Sequence, residues 1–160
     1  FRSEQNLGLV VGTWPVAEPV KVRDQGALEV LAKILELRVR GEMREKLGLA
    51  YSPSAEFQAF DGFPSFALLR TTIDCGPNDT TRVAQLVTAI GAALATDGVS
   101  EGEFMGARGI LQGQLRRAFR ENGFLVNLLM RAQERPDETR EIVALRGGLL
   151  DTLTREEVNR

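Results

Sequence analysis

The chain has 160 residues, a net charge of −2 and no histidine. That length can bury a sizeable core in one domain, while the near-neutral charge excludes a basic field of the kind that holds nucleic acid or an anionic membrane. Without histidine, Ser-His-Asp and Cys-His catalysis are excluded, and a catalytic zinc, which normally takes three ligands drawn mostly from histidine, finds no ligand set here.

In chain order, Leu7, Leu9 and Val11 alternate with smaller residues and predict a first strand ending near Thr13-Trp14-Pro15. Trp14, at the strand exit, is expected to pack under a loop. Asp24 is the expected N-cap of a long helix over 25–47, with an apolar stripe of Leu28, Leu31, Leu35, Val39 and Met43. Three pairs at i,i+4 spacing lace its outer face: Glu36–Arg40, Arg38–Glu42 and Glu42–Lys46. Tyr51, Pro53, Ala55, Phe57 and Ala59 share one parity, so a strand is expected from Tyr51. Asp61-Gly62 signals a hairpin turn, and 66–75 reads as the returning strand. Gly76-Pro77-Asn78 breaks it.

Val83, Leu86, Val87, Ile90 and Leu94 then mark a second helix, closed by Gly98. Ser100 and Glu103 form a capping box for a third helix running to about Glu121. Gly102, Gly106, Gly109 and Gly113 lie inside it, a spacing that suggests close approach of another backbone. A short helix is expected over 124–133 and a further one over 138–153. The order predicts an α+β fold, an antiparallel sheet with helices packed on one face. No apolar run approaches the ~20 residues of a membrane span. Phe1 is not an initiator methionine, and the capping box Thr154/Glu157 announces a helix just before Arg160. Residues 1–160 are therefore expected to be a single domain, a piece of a longer protein cut at both ends.

Few residues offer chemistry. Cys75 excludes an internal disulfide, leaves the redox compartment open, and lacks a histidine base; it reads best as a small half-buried residue. Glu42 with Glu45, and Glu101 with Glu103, read as solvated or dipole-compensating carboxylates. Arg44 and Tyr51 stand out. Val30, Leu37 and Arg44 lie seven apart along one line of the long helix, which brings Arg44 to the rim of the packed face. Gly48 lets the chain leave the helix, and Tyr51 follows at once. Guanidinium and phenol together could grip a peptide carbonyl or a developing oxyanion. On the residues alone the plainer account carries more weight: Arg44 meets the helix-end carbonyls, and Tyr51 packs with its hydroxyl in water.

The stretch "LELRVRGEMREKLGLAYSPSAEF" closely resembles a segment in the C-terminal half-domains of the insulinase/pitrilysin family of zinc metallopeptidases. "DQGALEVLAKILE" is similar to the start of that family's long helix, "VAQLVTAIGAALATDGVSEGEFMGARGILQGQLRR" to its paired helices, and "LTREEVNR" to the entry of the helix before the last strand. The wording "REKLGLAYSP" looks most like the bacterial periplasmic branch. The resemblance implies one half-unit of the processing-peptidase-like metallohydrolase fold, in which homologous units pair around a closed chamber. One unit carries an inverted His-x-x-Glu-His zinc motif. The facing unit has no metal and supplies an arginine and a tyrosine that hold substrate and stabilise the tetrahedral intermediate. Those two carry over to Arg44 and Tyr51 as catalytic-support residues.

By resemblance, then, this is the metal-free half of a zinc endopeptidase. It would bind no cofactor itself. Zinc and general base would come from a homologous domain in cis or in trans, the substrate would be peptide or unfolded polypeptide, and the setting would be the periplasm or cell envelope. Two other readings stay open: a catalytically inactive scaffold or assembly subunit of the same family, and a peptide-binding domain that works alone. The face that meets the partner could also pair two copies of the chain.

Overall fold

The computed structural model describes residues 7–16, 20–49, 51–60, 63–144 and 148–160. The element order is β1 (Gly8–Val16), α1 (Val22–Leu47), β2 (Ser54–Phe60), β3 (Phe63–Cys75), a 3-10 turn (Pro77–Asp79), α2 (Thr80–Asp97), α3 (Glu101–Ala118), α4 (Asn122–Glu134), α5 (Pro136–Ala144), α6 (Gly148–Thr152) and α7 (Arg155–Val158). The strands form one antiparallel sheet in the order β1-β3-β2. The α+β architecture expected from the sequence is the one observed.

Strand period sets the two faces of the sheet. Ala67, Leu69, Thr71, Ile73 and Cys75 of β3 are buried, and Ala55, Phe57 and Ala59 of β2 pair beside Thr71, Leu69 and Ala67. That face packs on α1 and α2 around Leu35, Val39, Met43, Val83, Val87 and Ile90. The opposite face leaves Leu9, Val11 and Phe66 exposed. A second cluster joins α1 to α3, α6 and α7 through Val30, Ile34, Phe104, Ala107, Leu150 and Leu153. Among the described residues, no single helix is long and apolar enough to cross a membrane.

Several boundaries differ from expectation. Helix α1 starts three residues early, with Lys21 at the N-cap position and no side-chain cap. Burial of Val22 draws that first turn into the structure, and Asp24 sits inside it, bonded to Arg160 at 2.9 Å. Strand β2 starts at Ser54, not Tyr51; Pro53 has no N–H to give to a ladder. Returning strand β3 begins at Phe63, and the Asp61-Gly62 turn lies outside the described residues, although Phe60 pairs with Phe63 across it. Two expected ion pairs form, Arg40–Glu36 and Lys46–Glu42, both at 2.7 Å. Arg38 turns instead to α3, donating to Glu103 at 2.9 Å and to the Gly98 carbonyl at 3.0 Å.

Helix α3 ends at Ala118. Among the described residues its glycines meet no other backbone: a Cβ at Gly102, Gly106 or Gly109 would find nothing within 4 Å, and one at Gly113 only Arg117. The close approach belongs to α2 instead, where the Trp14 indole lies against Gly91. Within the span of the helix expected over 138–153, α5 starts at Pro136, the favoured first position for proline, and α6 covers Gly148–Thr152; 145–147 lie outside the described residues. Both capping boxes form as expected, at Ser100/Glu103 and Thr154/Glu157.

Candidate functional site

Helix α1 ends at Leu47 because Gly48 adopts φ 66°, a left-handed conformation that glycine takes without strain. The Leu49 N–H closes back on the Met43 carbonyl at 3.0 Å. This reversal buries Met43 and leaves its neighbour Arg44 exposed at the rim. Arg44 makes no hydrogen bond or ion pair with any described residue. Its charge sits where the negative end of the helix dipole favours a cation.

Tyr51 is half-buried, its ring packed against the sheet-side core. The hydroxyl is not left to water. Gly76 N–H donates to Tyr51 Oη at 2.8 Å, and Oη lies 3.1 Å from Asp79 Oδ2. Proton direction follows from chemistry: a backbone N–H only donates, and an ionised carboxylate only accepts. Tyr51 therefore accepts from Gly76 and gives its one proton to Asp79. Gly76 leaves room for this, since a Cβ there would lie 3.0 Å from Oη. Asp79 holds the N-cap position of α2 yet makes no capping hydrogen bond; its other oxygen lies 3.7 Å from Arg82.

Arg44 and Tyr51 thus flank the α1 exit in the chain, the one exposed and the other turned to Gly76 and Asp79, and no described hydrogen bond joins them. Gly76 was expected only as part of the Gly76-Pro77-Asn78 break, and local spacing did not single out Asp79. The one available signal was an aspartate directly before Thr80-Thr81 at a helix start. Cys75 is fully buried, and burial with nearby Asp79 and Asp74 pushes its thiol pKa up. Buried apolar surroundings of this kind make a thiol inert, which fits the reading of Cys75 as a packing residue, although it is fully and not half buried. Among the described residues no group of three or more His, Cys, Asp or Glu side chains could hold a metal ion, so these residues do not fit a zinc site.

A separate groove of about 490 Å³ runs between α1, α3, α4 and α6, lined in part by Val22, Glu29, Leu115, Phe119 and Leu128. Surrounding protein raises the Glu29 carboxyl above its ordinary range although water reaches it through the open mouth. Glu29 and Arg44 are about 22 Å apart along α1 at 1.5 Å per residue, so the groove is distinct from the Arg44–Tyr51 region.

The sequence matches the model of the peptidase M16 inactive domain over residues 2–111. No curated protein matches it. Similar solved structures include an inactive peptidase domain from Bordetella parapertussis, 18% identical with a TM-score of 0.75, covering 100% of this chain and 86% of that one. The periplasmic protease PqqL from Escherichia coli is 20% identical with a TM-score of 0.76, over 98% of this chain and 17% of that one. A protease from Helicobacter pylori is 15% identical with a TM-score of 0.77, over 99% of this chain and 38% of that one. At these identities the likeness establishes the fold, and this chain spans only a minor part of the two proteases.

Proposed function

This chain belongs to the peptidase M16 inactive-domain family, and on that premise we propose that it is the metal-free half of a zinc endopeptidase, holding peptide substrate opposite a homologous zinc-bearing domain. One observation carries the reading: Arg44, inside the matched region, is an exposed guanidinium with no described partner at the lip of the helix exit. A charge left unpaired at such a rim is available to a peptide carbonyl or a developing oxyanion, and such donors count most when water is excluded. Tyr51, seven residues on, is the second donor. Zinc and general base come from the other half, in cis or in trans. The periplasmic setting of PqqL supports an envelope location.

The test is Arg44→Ala in the full-length protein with its zinc-bearing half. Peptide turnover is expected to fall at least tenfold with the melting temperature unchanged, because the side chain has no described bond to lose. Wild-type turnover in that variant removes Arg44 from substrate support. Tyr51→Phe is expected to lower turnover by a similar factor, but it also leaves the Gly76 N–H without its partner and costs about 1 kcal/mol of stability.

A second reading, a scaffold subunit without peptidase activity, is favoured by the same phenol, whose only proton is already held by Asp79. It predicts that the assembled full-length protein, with zinc supplied, cleaves no peptide in a broad library.

A further inference from the structure

We infer that Asp79 is a latch on Tyr51: it holds the phenol's only proton, and Tyr51 donates to substrate only after that contact opens. The inference rests on the donor role proposed for Tyr51 and adds the residue that governs it.

Three features of the fold converge on it. Gly76 N–H occupies the phenol oxygen as a donor, which directs the hydroxyl proton toward Asp79 Oδ2 and away from any third group. A bound carbonyl or oxyanion needs that proton, so the closed contact and donation to substrate exclude each other. Asp79 is also diverted from its local task. Aspartate at an N-cap ordinarily accepts from the first-turn N–H groups of its own helix, whereas here the carboxylate makes no cap bond and bridges 28 residues back to Tyr51. Finally, a competitor for the carboxylate is in place. Arg82, one turn into α2, is 3.7 Å from Oδ1, so Asp79 released by Tyr51 keeps a cation partner. Opening the latch therefore exchanges one partner of Asp79 for a closer approach to another, with no charge stranded.

Asp79 is thus a positioning residue, and its removal should act on turnover through Tyr51 alone. The experiment compares wild type, Asp79→Ala, Asp79→Ser, Tyr51→Phe and the double variant Tyr51→Phe/Asp79→Ala, in the full-length protein with its zinc-bearing half, on a fluorogenic peptide. Serine keeps an N-cap residue on α2 and is too short to reach the phenol, so it remains informative if alanine impairs folding. Both Asp79 variants are expected to raise kcat at least threefold with KM within twofold, and the rise should vanish in the Tyr51→Phe background. A kcat that is unchanged or lowered in both Asp79 variants, with Tyr51→Phe impaired, overturns the latch and leaves the donor role of Tyr51 standing. Tyr51→Phe turning over like wild type, or a wild type without turnover, removes the donor role itself and the latch with it.

Discussion

Among the described residues, two glutamates sit far below the ordinary carboxylate range and so contribute to the response to acid. Glu103 is held at a pKa of about 2, first by hydrogen bonds from Arg38 and further by Ser100; Glu157 is held at about 2 by Arg23 and the backbone of Thr154. Each closes a capping box and takes an arginine from α1 at the same time. A carboxyl whose folded pKa lies below its unfolded value stabilises the fold above the unfolded value and loses that contribution as pH falls toward the folded one. The window here runs from about pH 4.5 down to about pH 2, between the ordinary glutamate value and the folded values. Melting temperature should therefore drop across that window, and Arg38→Ala or Glu103→Gln should flatten the drop; an unaltered slope in both variants removes the assignment. The capping glutamates were readable from Ser-x-x-Glu and Thr-x-x-Glu spacing. Their arginines were not, since Arg38 and Glu103 are 65 residues apart and local spacing pointed Arg38 to Glu42. Asp79 escaped for the same reason. Its partner is set by where β3 delivers the Gly76 turn, which periodicity in a single segment does not encode.

At the level of elements, the glycines divide into two kinds that look alike in sequence. Gly91 in α2 is covered by Trp14: a Cβ there would come within 2.6 Å of the indole. Gly106 and Gly109 in α3 face open space. Gly91→Ala should cost about 1–3 kcal/mol through overpacking, and should shift the fluorescence of the only tryptophan. Gly106→Ala and Gly109→Ala should each stabilise the chain by up to about 1 kcal/mol, since alanine is the better helix former and meets no neighbour. Denaturant titration of the three variants checks the sign; destabilisation by Gly106→Ala and Gly109→Ala would show α3 packed against something in this chain after all. Helices α1 and α2 and strands β1 and β2 were legible because their apolar residues recur at the helical or strand period, α3 from its Ser100/Glu103 capping box, and β3 from the turn signal before it. The start of β2 was misplaced because Tyr51 and Pro53 keep the parity of Ala55 and Phe57, yet Pro53 has no N–H for the ladder. A period in the sequence shows which residues share a face, but not where the backbone begins to pair.

Across the whole molecule, α1 is the shared wall of two cores. Leu35, Val39 and Met43 face the sheet and α2, while Ala27, Val30 and Ile34 face α3, α6 and α7. Leu31 and Leu94 are partly buried against both clusters, so neither core can open without stripping side chains from the other. Leu35→Ala and Ile34→Ala, on opposite cores, should each cost about 2–5 kcal/mol and lower both Trp14 fluorescence and far-ultraviolet circular dichroism transitions together, as one cooperative unit does. Separate midpoints for the two probes would mean that the cores unfold independently. Helix α4 stands apart from this coupling. It buries no residue fully, and Leu125, Val126, Leu129 and Met130 are exposed along it. Amide exchange measures the opening of each element, and elements with few buried contacts open at lower free energy than the global unit. The α4 amides should therefore exchange at least a hundredfold faster than those of α1 at neutral pH. Equal protection in both helices would tie α4 into the cooperative core despite its bare apolar face.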